Sequence, residues 1–422
     1  MPDELLVRLY RVGCGDCIFL RVPDEGGPRH ILIDCGNFLG DPVGDLRSAV
    51  SNVVELLNDP EIPAAQRGQL DLLVATHQHW DHLKGFEGAL EALKGFAIRR
   101  IWITIAMKED HAGAQGLHAL QAGIAETVKG LVEERGRAIS PLLYAMLVLS
   151  LSTGEASRAL RQVLSEHNHI EPLYVYRGVE GDLAKKKRAS QLLSFGDTST
   201  RLSILAPEKE IDEAYTAPAT GLLGELEVHT AGFLEALPED QRLREPANIS
   251  ASAFRLLRSQ LMHTSLLAAS QENSVVNNTS VALLLEWRGR RLLFPGDAEH
   301  ESWKLMWQNA RQALSRPLDF LKVSHHGSQN GTPYELGDAG NPINEILDTV
   351  LPRGNAGNAR AVVSTLAGRI HAPIHPVPFP ELMNELAERV SNALAYPSGS
   401  GRQPQRTDLE QADWIDVRFA PA

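Results

Sequence analysis

Residues Thr76-His77-Gln78-His79-Trp80-Asp81-His82 place four metal-ligand side chains within six positions. Imidazole nitrogens and carboxylate oxygens are the donors that hold catalytic divalent ions. The cluster directly follows the apolar run Leu70-Asp71-Leu72-Leu73-Val74-Ala75. Such a run reads as a buried strand delivering ligands at its C-terminal edge. His77 and His79 share one side of an extended chain, because alternate residues point the same way. Asp81 and His82 then fall where the chain turns into Leu83-Lys84-Gly85-Phe86, aimed at a second point nearby. Two adjacent binding points suit a two-metal hydrolytic centre.

Further ligand-type residues also follow apolar strands. Asn277-Asn278-Thr279-Ser280 precedes a strand Val281 to Trp287, a tight turn at Arg288-Gly289-Arg290, and the run Arg291 to Asp297. The pair reads as a hairpin that presents Asp297 at its end. One carboxylate there can bridge two cations, since each oxygen can take one. Phe320-Leu321-Lys322-Val323-Ser324 runs into His325-His326-Gly327-Ser328. Earlier, His30 to Gly36 reads as a strand in which Asp34 either orients a metal-bound histidine or caps the turn.

The elements that must position these groups alternate between strand and helix. Two strands around Gly13-Cys14-Gly15-Asp16 open the chain, Asp45 to Leu57 has helical spacing, and Arg100 to Ile105 is strand-like. This alternation suggests sheets covered by helices, an α/β class. The chain reads as one domain, 1–422, with a helical insertion over about 107–195, as a lid or as a structural addition. Strand character returns at Arg201 to Pro207, Ala361 to Thr365 is another strand, and a helix is expected from about Glu381 to Asn392.

Composition narrows the partners. A formal net charge of −12 argues against a nonspecific polyanion binder. Lys185-Lys186-Lys187-Arg188 is the local exception, either a solvated face or a phosphate contact. Three cysteines, Cys14, Cys17 and Cys35, do not make a secreted disulfide framework, which favours the reducing cytoplasm. No signal peptide is read at the start, and the longest apolar stretch, Leu142 to Leu151, is far too short for a membrane span.

In this order, T-H-x-H-x-D-H, P-G-D and H-H-G-S resemble the metallo-β-lactamase superfamily. The resemblance narrows to the soluble hydrolase domain of ComEC-type DNA-uptake competence proteins. It is carried by V-G-x-G-D at Val12 to Asp16, L-I-D-x-G at Leu32 to Gly36, N-x-S at Asn278 to Ser280, and the late His375-Pro376. It covers both ends of the chain and skips the helical middle. The resemblance implies a metallo-β-lactamase-like four-layer αββα sandwich and two divalent ions, Zn²⁺ or Mn²⁺. One site would have His77, His79 and Asp297. The other would have Asp81, His82, Asp297 and one of His325 or His326. Asp34, Asn278, Ser328 and His375 would support the ligands or the substrate. The membrane segments of the competence proteins are not read here, so DNA transport does not carry over.

Successive strand residues point to opposite sides, so His325 and His326 are expected to divide their labour. His325, directly after the strand, is expected to complete the second site. His326 is expected nearer the substrate, where it would stabilise charge or protonate the leaving oxygen. Asp81 would ligate metal and orient or deprotonate the nucleophile. The expected activity is a metal-dependent phosphodiesterase or nuclease acting on a phosphoester such as a nucleic acid or nucleotide. Hydrolysis of small nucleotides or of carboxylic esters, thioesters or lactams remains open, as does a non-catalytic metal-bound binding module.

Overall fold

The computed structural model describes residues 3–38, 46–88, 95–119, 121, 160, 170–215, 273–336, 341–354, 359–367, 371–372, 375–396 and 401–422. Most of the expected helical insertion, and the segment from 216 to 272, lie outside the described residues. Within them the protein is a mixed α/β structure with two larger sheets. The strands of these sheets are, in chain order, β1 Leu5–Tyr10, β2 Cys17–Val22, β3 Arg29–Cys35, β4 Leu72–Ala75, β5 Ile101–Thr104, β6 Leu173–Val175 and β7 Arg201–Ala206. They continue with β8 Ala282–Trp287, β9 Arg290–Phe294, β10 Phe320–Lys322, β11 Arg360–Val363, β12 Gln405–Arg406 and β13 Trp414–Phe419.

The first sheet has the order β13-β1-β2-β3-β4-β5-β6, and the second β12-β11-β10-β9-β8-β7. From β3 to β6 the neighbours are parallel, as they are from β9 to β12. The expected hairpin is present as β8 and β9, with Trp287 opposite Arg290. Its two-residue turn has positive φ at both Arg288 (45°) and Gly289 (87°), the conformation that matches strand twist. Strand β6 falls inside the span expected to be an insertion. It joins the first sheet as an edge strand beside β5.

Both faces of the central strands are buried, which is why sequences such as those of β3, β4, β5, β8 and β9 read as nearly continuous apolar runs. The edge strand β13 instead alternates buried and exposed residues. One apolar cluster takes alternate residues from both sheets: Ile31, Ile33, Leu72 and Val74 with Leu283, Leu285, Leu292 and Phe294. The opposite parity of the first sheet, Leu32, Leu73 and Ala75, packs with Val50, Val53 and Phe86 of helices Leu46–Leu57 and Trp80–Gly88. The opposite parity of the second, Leu284, Leu293, Leu321 and Val363, packs with Trp303, Leu347 and Leu382 from three further helices. Helix Pro342–Val350 shows how local sequence sets these elements. Asn341 accepts a hydrogen bond from the Ile343 N–H at 3.0 Å, Pro342 starts the helix, and Ile343, Ile346, Leu347 and Val350 line the buried face.

Candidate metal centre

The ligand-type residues converge at the carboxyl ends of parallel strands from both sheets. Asp34 is the penultimate residue of β3, His77 to His82 follow β4, Asp297 follows β9, and His326 follows β10. Asp81, His82, Asp297 and His326 are buried, with one ligand atom of each lying within 4.8 Å of the others. His82 Nε2 stands 3.1 Å from Asp297 Oδ2, and His326 Nε2 stands 3.2 Å from Asp81 Oδ2 and 3.4 Å from Asp297 Oδ2. His77 and His79 adjoin this group. Their facing nitrogens, Nε2 and Nδ1, are 3.2 Å apart, and His77 Nε2 is 4.0 Å from Asp297 Oδ2. These buried His and Asp groups could hold a metal ion.

The surroundings fix which nitrogen each histidine presents. Asp34 Oδ2 accepts from His82 Nδ1 at 2.7 Å and from Thr76 Oγ1 at 2.6 Å, while Oδ1 accepts from the Thr76 N–H at 2.8 Å. His326 Nδ1 lies 2.9 Å from the Ser364 carbonyl, to which it donates. Both rings therefore turn Nε2 inward toward the cluster, the orientation by which outer partners prepare metal-bound histidines. Asp34 holds this position at φ 56°, a conformation rare for a non-glycine residue, under the restraint of its hydrogen bonds.

Burial opposes charge throughout the cluster, and opposite charges answer it. Burial lowers His82 and His326, but Asp297 with Asp34 or Asp81 outweighs it and carries both well above their ordinary value. Burial raises Asp297, yet His82 and His326 hold it well below the carboxylate range. His77 and His79 are driven down chiefly by burial, His79 to about 4, so both are neutral donors at neutral pH. His79 Nε2, Asp81 Oδ1 and Asp297 Oδ1 are buried with no hydrogen-bond partner among the described residues. Orphaned polar atoms are rare in native interiors, and their concentration here is what a cation site requires.

In this geometry His326, rather than His325, is the one that joins the buried cluster. His326 shares the cluster and is 1% exposed, whereas the His325 side chain is 26% exposed and faces Glu299 at 3.4 Å and Asn277 at 3.3 Å. The reason is backbone conformation. The chain leaves the strand at Lys322, and both histidines take positive φ, 46° and 54°, so strand alternation no longer governs them. Asn278 is a helix cap rather than a neighbour of the ligands. Its Oδ1 accepts from the Ser302 N–H at 2.9 Å in the first turn of helix His300–Asn309. Ser328 closes the local turn, with its N–H donating to His325 O at 2.8 Å. The backbone of His375 lies in a short strand paired with His371–Ala372.

The structure adds supports that sequence reasoning did not name. Lys322, fully buried, ion-pairs with Asp16, whose Oδ2 is 4.0 Å from His82 Nδ1. Asp16, Asp34 and His82 also form a compact acidic group, but Lys322 answers one carboxylate and His82 the other. That set braces His82. Gly15 and Gly36 let the Asp81 backbone approach. A Cβ on Gly15 would stand 2.6 Å from Asp81 O, and one on Gly36 would collide with the Asp81 carbonyl carbon. The glycines flanking Asp16 and following Asp34 were the available signal for this contact.

Comparison with protein-family models gives no match, and comparison with curated proteins gives none either.

Proposed function

We propose that the protein is a metal-dependent hydrolase with the four-layer αββα arrangement of the metallo-β-lactamase superfamily, acting on phosphodiesters. The observation that carries this reading is the convergence of His77, His79, Asp81, His82, Asp297 and His326 from segments far apart in the chain. Two ligands bound about 2.0–2.1 Å from one tetrahedral ion stand about 3.3–3.4 Å apart. The spacings His77–His79, His82–Asp297 and His326–Asp81, at 3.2, 3.1 and 3.2 Å, approach that value. Asp297 lies between the two groups and suits a bridging carboxylate. The apolar cluster shared by the two sheets, with helices packed on their outer faces, supports the sandwich.

Bound divalent ions, Zn²⁺ or Mn²⁺, would supply an ionised water and polarise the scissile bond. The protein's own contribution is orientation. Asp34 and Ser364 hold His82 and His326 with Nε2 inward, and the His77 and His79 rings stay neutral. Asp81 offers an unpartnered Oδ1 at the same point, suited to positioning a nucleophilic water or holding its proton. The net charge of −12 favours a short phosphodiester or nucleotide over a long polyanion. Metal-reconstituted protein, assayed on a chromogenic phosphodiester and a chromogenic β-lactam, is expected to turn over the first and spare the second. The opposite preference would overturn the substrate assignment.

A further inference from the structure

The basic run singled out in the sequence borders a cavity of about 270 Å³. Ile105, Lys108 and His111, which follow β5, form one wall, and Tyr176, which follows β6, lies in another. Glu171, Pro172, Leu173 and Tyr174 line it as well, so the cavity runs along the length of the edge strand β6. Two strand spacings, about 10 Å, separate β6 from β4.

The cavity's charge runs against that of the chain. Lys108, Lys186, Arg188 and Lys209 line it, against two acids, Glu171 and Asp182. Asp182 is already engaged: it accepts from Tyr176 OH at 2.6 Å and pairs with Lys209 at 3.3 Å and Lys185 at 3.6 Å. Lys186 and Arg188 are exposed and make no ion pair among the described residues. Between them, Lys187 takes φ 57°, which turns the chain so that both neighbours line the cavity. Tyr174, half-buried, adds an aromatic surface, and His111 Nδ1 in the wall has no hydrogen-bond partner among the described residues.

We propose that this cavity binds a nucleotide unit, with its phosphate on Lys186 and Arg188 and its base ring along Tyr174. Lysine and arginine give charge-assisted hydrogen bonds to phosphate oxygens, and a tyrosine face stacks any base. As a subsite for the substrate of the metal centre it rests on the hydrolase reading; as a binding site it stands alone.

Calorimetric titration of the full chain, treated with chelator, tests it with adenosine 5′-monophosphate, inorganic phosphate and adenosine as separate probes. The monophosphate is expected to bind saturably and more tightly than adenosine. Lys186→Gln with Arg188→Gln should weaken it at least about tenfold. Tyr174→Leu should weaken the monophosphate and leave inorganic phosphate unchanged. Asp297→Asn should leave monophosphate binding unchanged. The proposal is overturned if the monophosphate does not saturate, if adenosine binds equally well, if the double variant binds like the parent, or if Asp297→Asn abolishes binding. Retained, Lys186- and Arg188-dependent binding in a protein that cleaves no phosphodiester with metal supports the cavity and removes only the hydrolase reading.

Discussion

Asp34, in strand β3, and His82, in the helix Trp80–Gly88 that follows the neighbouring strand β4, meet through a 2.7 Å contact between Oδ2 and Nδ1, with both side chains fully buried. The contact holds the ring with Nδ1 on Asp34 and turns Nε2 toward Asp297, 3.1 Å away. Asp34→Ala should therefore weaken metal affinity by about 10–100-fold, the range seen when an outer partner of a ligating histidine is removed. Chelator competition measures it. Unchanged affinity would mean that Asp34 only restrains the backbone.

The geometry makes opposite statements about two adjacent histidines. His326→Ala should lose metal and activity together, because its Nε2 faces both Asp81 and Asp297. His325→Ala should keep its metal, since His325 rests on Glu299 and Asn277. Elemental analysis of the two purified variants decides, and metal loss in His325→Ala alone would reverse the assignment.

Gly36→Ala should lower activity through Asp81, because the added methyl meets the Asp81 backbone. Overpacking of this kind costs about 1–3 kcal/mol of stability. Gly181→Ala, where a Cβ meets nothing within 4 Å, is the control and should be at least as stable as the parent, since alanine suits the helix Val179–Lys185 better than glycine. Equal chemical-denaturation midpoints for the two variants would show that the Gly36 contact relaxes without cost.

Away from the cluster, His30 gives the fold a dependence on pH. It is buried and stacked on Phe19 at 5.7 Å, and burial pushes it down from 6.5 to about 3. Below its ordinary value the unfolded chain takes a proton that the folded protein refuses. Its stabilising effect is complete above the ordinary value and fades as pH falls toward the folded one, at up to about 1.4 kcal/mol per pH unit. Denaturant melts between about pH 4 and 6 should show a shallower slope for His30→Gln than for the parent. Identical slopes would mean that His30 takes its proton without unfolding.

Much of the cluster was legible because its ligand-type residues sit in short, dense runs directly after apolar strands. His77, His79, Asp81 and His82 needed no long-range information, and the β8–β9 hairpin announced Asp297 through its turn. Where the reading failed, backbone conformation or distance was responsible. Strand alternation does not describe His325 and His326, because both leave extended geometry, and no periodicity signals that. Lys322 looked like an ordinary strand residue, since its partner Asp16 lies 306 positions away. Asn278 was grouped with the site on a motif, while its contacts cap a helix a short way along the chain. Strand β6, three residues long, carries too little alternation to be recognised.

The central claim, a divalent centre that shares Asp297, is tested most directly by metal content. Elemental analysis of the purified, reconstituted protein should find up to two divalent ions per chain, as expected if one carboxylate serves two ions. Asp297→Ala should lose most of that metal, because His82 and His326 both face the same carboxylate, at 3.1 and 3.4 Å. Full occupancy in Asp297→Ala, or a parent that takes up no divalent metal, would contradict it.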